Sequence, residues 1–163
     1  KDKQELKQSI LTAIELNTPV AIRYPNGEHS EFNGVSAIDK QLKWETLNEG
    51  ENAVILAVGA RMIKLALEVN DKLQGKVGVI NARTIKPLDK QLLLSIKDKK
   101  IITLEDNVKR GGFGSSVLEF YNDNQLNVNL SIFAIKDEFV SHASVSEQLE
   151  INGITVEKVI SKI

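Results

Sequence analysis

The chain has 163 residues, 42% apolar and 26% charged, the size and composition of one ordinary soluble domain. Its 21 basic and 22 acidic side chains leave a formal charge of −1, which excludes the electrostatic footprint of a nucleic-acid binder. The absence of cysteine excludes disulfides and thiolate metal sites, and His29 and His142 stand too far apart in sequence to be more than part of a metal site, so none is expected.

Nothing in the chain reads as a membrane segment: no apolar run approaches the roughly 20 residues a bilayer crossing needs, and no signal-peptide core opens the sequence. A cytoplasmic location is the default expectation. The chain begins Lys1-Asp2-Lys3 and its single methionine is Met62, so a piece of a longer polypeptide is expected.

In chain order, residues 3–16 carry Leu6, Ile10, Ala13, Ile14 and Leu16 at helical spacing, and Asn17-Thr18-Pro19 ends the run. Val20-Ala21-Ile22 is a short β-type segment closed by the turn Tyr24-Pro25-Asn26-Gly27. Residues 26–40 are polar and irregular, read as a linker that marks the main boundary, with 28–40 predicted mobile on composition. Strands are predicted at 42–47, 53–58, 77–80, 101–104 and 128–134. The run at 53–58 is apolar at every position, as burial on both faces requires. Helices are predicted after Gly59 (Met62, Ile63, Ala66, Leu67, Val69, Leu73), after Asp89 acting as N-cap (Leu92, Leu93, Ile96), and after the glycine-rich turn (Val117, Leu118, Tyr121). Two short helices close the chain. Strands alternating with such helices predict an α/β fold built on a mainly parallel sheet covered on both faces. The first 25 residues fit this poorly: a lone helix and a three-residue strand bury too little surface to stand alone.

The most distinctive stretch runs from Thr103 to Ser115 and contains Glu105, Asp106 and the glycines Gly111, Gly112 and Gly114. A glycine-rich turn opening a helix invites a phosphate-cradle reading. The dinucleotide fingerprint fails, however, because Val117 stands where the third glycine belongs. A structural turn is the favoured reading of these three glycines. Glu105 and Asp106 are adjacent, so an extended chain points them to opposite faces. That is wrong for an acid/base pair and right for strand-end residues that bond neighbouring loops. His142 lies in a loop beside acids and is read as a packing or hydrogen-bonding residue before a proton shuttle. Trp44 and Phe113 are read as buried or interface aromatics. Arg23, Lys86 and Arg110 are candidate anion contacts because each lies near a strand end, the usual ligand side of such sheets. No nucleophile–base or paired-carboxylate arrangement emerges, so no catalytic residue is assigned.

Five segments taken together carry a resemblance. They are Ala21 to Gly27, Ala57-Val58-Gly59, Asn81 to Asp89, Thr103 to Asn107 with Arg110 to Ser115, and Asp137-Glu138-Phe139 followed by His142. In this order they resemble the C-terminal region of the 1-deoxy-D-xylulose-5-phosphate synthases, a family of the transketolase superfamily, over essentially the whole chain. The resemblance implies that residues 1–25 are the tail of a preceding pyrimidine-binding domain, 26–40 a linker, and 41–163 a transketolase C-terminal domain. It implies a three-layer αβα unit whose five-stranded, mostly parallel sheet has one antiparallel strand. It implies a parent homodimer that joins pyruvate to glyceraldehyde 3-phosphate with loss of carbon dioxide and feeds isoprenoid and thiamine biosynthesis. Thiamine diphosphate and Mg2+ would be held by the upstream domains, with none bound to this chain. The phosphate neighbourhood would include Arg23 and Asn26, the latter standing where the family usually has a second arginine; losing that guanidinium removes a bidentate contact. On this reading the chain is inert alone and serves dimer assembly and the active-site entrance. The alternatives are part of another transketolase-like enzyme or split-transketolase subunit, and a free-standing anion-binding module.

Overall fold

The structure is a computed structural model and describes residues 1–25, 32, 38 and 40–163. The expected linker lies almost wholly outside the described residues, as do Asn26 and His29.

Ala53–Ala57 (β2) is buried at every position, and its alternating side chains feed two separate cores. Ile55 and Ala57 face helix Gly59–Lys72 (α2) through Met62, Ile63, Ala66 and Val69. Val54 and Leu56 face helices Lys90–Ser95 (α3) and Phe113–Asp123 (α4) through Leu93, Phe113, Val117 and Tyr121. The remaining strands are Glu45–Asn48 (β1), Gly78–Asn81 (β3), Lys100–Val108 (β4) and Asn129–Ile135 (β5). The spatial order is β1-β3-β2-β4-β5, with β1 antiparallel to β3 and the other pairs parallel. Helices Val145–Ile151 (α5) and Val156–Ile160 (α6) end the chain, and α6 joins the α2 side through Val159. This is the expected three-layer architecture with one antiparallel strand. Each large aliphatic side chain withdrawn from water contributes on the order of 1.5–3 kcal/mol.

Local polar bonds set where the elements begin. Asp89 caps α3 by accepting from the Leu92 N–H at 3.1 Å, and its other oxygen takes the Trp44 N–H at 3.0 Å. Trp44 also donates its indole N–H to the Thr84 carbonyl at 2.9 Å and packs on Phe113 with ring centroids 5.5 Å apart. Leu42 has a positive φ of 55° and Trp44 is tied to Asp89, so the first strand starts at Glu45, later than its apolar pattern suggested. The Tyr121 hydroxyl donates to the Leu93 carbonyl at 2.7 Å and ties α4 to α3. Leu118, expected on the packed face of α4, is exposed.

The helix over Lys3–Leu16 (α1) forms as its periodicity predicts, with Asp2 as N-cap and Asn17 in the left-handed conformation as C-cap. Val20-Ala21-Ile22 does not form a strand. Extended backbone becomes a strand only where a neighbour accepts its N–H groups, and the five strands of this sheet pair with one another.

Candidate functional site

Ligands of open parallel sheets gather beyond the carboxyl ends of the strands. Among the described residues that edge holds two polar clusters. The first grows out of β4. Leu104 pairs with Phe133 and Val108 with Ile135, so four steps along β4 match two along β5. Such extra residues bend a strand and re-aim its side chains, and Glu105 and Asp106 lie in the bend. Glu105 is buried and accepts from the amides of Phe113 at 2.7 Å and Gly114 at 2.8 Å. Its carboxylate thus sits on the N-terminus of α4, where the helix dipole favours negative charge. Burial nevertheless raises its pKa above the ordinary 4.5, against the opposing pull of the Gly114 and Phe113 amides and the Arg23 charge. Asp106 pairs with Arg61 of α2, and its carbonyl accepts from Arg23 Nη2 at 3.1 Å. The two adjacent acids therefore bond helices that cover different faces of the sheet.

The glycines are shaped to that carboxylate. A Cβ on Gly112 would stand 2.5 Å from Glu105 Oε2, and one on Gly114 would stand 2.6 Å from both Thr103 Oγ1 and Ile132 Cγ2. Gly111 turns the chain with φ of +66°. The anion at this helix N-terminus is an internal one. Two amides that would cradle a phosphate are already taken by Glu105.

The second cluster lies beside the carboxyl end of β3. Arg83 follows that strand, and its guanidinium meets Glu5 of α1 at 3.1 Å and Glu45 of β1 at 2.8 Å. Asn81 donates to the same two carboxylates at 2.7 and 3.1 Å, and Lys1 Nζ lies 3.1 Å from Glu45. The Arg83 side chain is only 4% exposed. The buried guanidinium is ion-paired to two carboxylates, Glu45 through Nη2 and Glu5 through Nε, a pairing that suits arginine better than lysine. Neither Arg83, Glu5, Glu45 nor Asn81 was singled out from the sequence. Asp2 and Glu5 have capping-box spacing, and Glu5 does donate its N–H to Asp2 at 2.8 Å; its carboxylate goes to Arg83.

The other candidates remain apart. Arg23 belongs to the first cluster. Arg110 is 85% exposed and lies 3.6 Å from Asp137. Lys86 is exposed on the loop before α3, and His142 is exposed on the loop before α5. Among the described residues no group of three or more His, Asp or Glu side chains is placed to hold a metal ion. With the glycine-turn amides taken as well, the described residues do not fit a diphosphate–Mg2+ group. Among the described residues no helix is long and apolar enough to cross a membrane.

Comparison with known proteins places this geometry in context. The family model for transketolase, C-terminal domain, matches residues 42–159. A 1-deoxy-D-xylulose-5-phosphate synthase of Listeria monocytogenes serotype 4b is 43% identical over 100% of this chain and 28% of its own length. Those of Clostridium tetani and Thermus thermophilus are 37% and 40% identical, over 98% and 96% of this chain and 26% and 25% of theirs. The chain thus spans about a quarter of the length of these curated relatives. A solved structure described as a split gene transketolase, inactive beta4 tetramer, superposes with a TM-score of 0.66 at 26% identity, covering 74% of this chain and 40% of that one.

Proposed function

The chain belongs to the transketolase C-terminal domain family, and from that premise we propose that it is the C-terminal portion of a 1-deoxy-D-xylulose-5-phosphate synthase, inert by itself. The parent condenses pyruvate with glyceraldehyde 3-phosphate, releases carbon dioxide, and supplies isoprenoid and thiamine biosynthesis. The observation that carries this reading is the reach of the match. The synthases align with the whole chain, N-terminal helix included, and not only with the 42–159 domain.

In this reading residues 1–25 close the preceding domain, 26–40 link, and 41–163 form the C-terminal domain. The exposed apolar residues Ile10, Leu11 and Ile14 of α1 support the first assignment, because they supply a face for a core built by other residues. Thiamine diphosphate and Mg2+ belong to the parent's other domains, where the cofactor would supply the electron sink for decarboxylation and carbon–carbon bond formation. The donor set described above supports assigning neither of them, and no catalytic residue, to this chain. Arg23 and Asn26 lie in the neighbourhood of the substrate phosphate. The C-terminal domain contributes to a cytoplasmic homodimer and frames the active-site entrance.

The likeness to a split-gene transketolase favours one second reading, a separately encoded subunit. The engagement of the Phe113 and Gly114 amides by Glu105 speaks against a free-standing anion-binding module. The test is expression of the continuous reading frame that contains this chain, with and without residues 41–163. Product from pyruvate and glyceraldehyde 3-phosphate, lost on that deletion, is the expected result. A frame confined to this chain, active only with a separate partner, would establish the split-subunit reading instead.

A further inference from the structure

Helix α1 is docked by the face that hydrophobic packing would not choose. Its buried residues are Glu5 and Thr12, while Ile10, Leu11 and Ile14 are 46%, 52% and 71% exposed. Leu6, Ala13 and Leu16 are half-buried, and polar bonds tie the helix to the rest of the chain. Thr12 donates to the Ile38 carbonyl at 3.0 Å, and Gln8 accepts from the Ile38 N–H at 3.2 Å. Glu5 enters the cluster with Arg83, Asn81 and Lys1. Arg83 and Asn81, both carried by the sheet unit, each reach Glu5 on the helix and Glu45 on the sheet, Arg83 with charge; Lys1, just ahead of the helix, also pairs with both carboxylates.

We infer that Arg83 is the joint that fixes α1 to the β1–β3 edge of the sheet, so that a guanidinium carried by the sheet unit, and not the exposed aliphatic face of the helix, holds the helix down. Removing one partner of a buried ion pair leaves the other charged and dry, which costs far more than an exposed pair is worth. Without Arg83, Glu5 and Glu45 would keep Asn81 and Lys1 but lose their shared guanidinium, and they recover solvation by releasing α1 to water. Arg23, bonded to the Asp106 carbonyl of β4, is a second anchor further along the same edge. Residues 1–25 are thereby laid as a strap across the carboxyl ends of β3 and β4, its near end held by Arg83. This inference concerns the chain alone and does not depend on which reaction the parent performs.

The experiment is amide hydrogen exchange on the 163-residue chain, comparing wild type, Arg83→Met, Arg83→Lys, Glu5→Ala and, as a helix control, Glu15→Ala at an exposed site. Arg83→Met and Glu5→Ala should each speed exchange across α1 by about tenfold or more while β2 and β4 amides keep wild-type rates. Arg83→Lys should loosen α1 as well, because a single ammonium does not reproduce the planar two-carboxylate grip. Glu15→Ala should leave α1 as it is. Exchange in α1 within about twofold of wild type in Glu5→Ala would overturn the inference, as would equal loosening of α1 and the central strands. Should Arg83→Met fail to fold, Glu5→Ala decides, since its side chain hangs from α1 and not from the sheet.

Discussion

The sheet unit and the N-terminal helix solve the burial problem in opposite ways. In the sheet unit apolar side chains are inside, and buried polar groups such as Asp89 and Glu105 serve as caps for the helices that cover them. In α1 the fully buried residues are polar, Leu6, Ala13 and Leu16 are half-buried, and Ile10, Leu11 and Ile14 face water. A helix of 14 residues draws little stability from propensity alone, so its attachment rests on ion pairs and a few hydrogen bonds. The difference teaches that amphipathic periodicity reports that a helix has a packing face, while charge placement decides where it sits when that face is left open.

The comparison can be broken first at Glu105. Glu105→Ala strips two buried amides of their acceptor and should cost about 3 kcal/mol in denaturant unfolding of the sheet unit. Loss of under about 1 kcal/mol would mean that the cap is ornamental to folding. Because burial holds the Glu105 carboxyl above its ordinary 4.5, the folded state binds the proton more tightly than the unfolded one. Its contribution is then complete below 4.5 and is lost as pH rises through the folded value. The stability gap between wild type and Glu105→Ala should therefore narrow on raising pH from 4.5, which a set of urea titrations would read. Gly112→Ala comes next. Its methyl would press on Glu105 Oε2 and should cost about 2–3 kcal/mol. Asp89→Ala should cost about 2 kcal/mol, through the lost α3 cap and the orphaned Trp44 N–H, visible as a lowered midpoint with unchanged slope. The smallest effect sharpens the contrast: Ile14→Ser should change the stability of this chain by no more than about 0.5 kcal/mol. A fall of about 2 kcal/mol would show that the open face of α1 is packed after all.

Much of the sheet unit was legible because its signals are local. The apolar run at 53–58 implied a strand buried on both faces, found over Ala53–Ala57; Asp89 implied a cap, which forms; and the adjacency of Glu105 and Asp106 implied opposite faces, where they bond α4 and α2. The second cluster was not legible. Glu5 and Arg83 meet across a separation that no periodicity rule spans, and Arg83 read only as one residue of a longer motif. Val20–Ile22 had strand propensity, which is expressed only beside a partner strand. The helix over 3–16 was visible from its period, yet period says nothing about which body the face will meet.

The central claim is that the chemistry belongs to polypeptide outside these residues. It is tested most directly by incubating the purified 163-residue chain with carboxyl-labelled pyruvate, glyceraldehyde 3-phosphate, thiamine diphosphate and Mg2+ and counting released carbon dioxide. The account predicts release no greater than in a protein-free blank. Sustained release that scales with the amount of chain would contradict it.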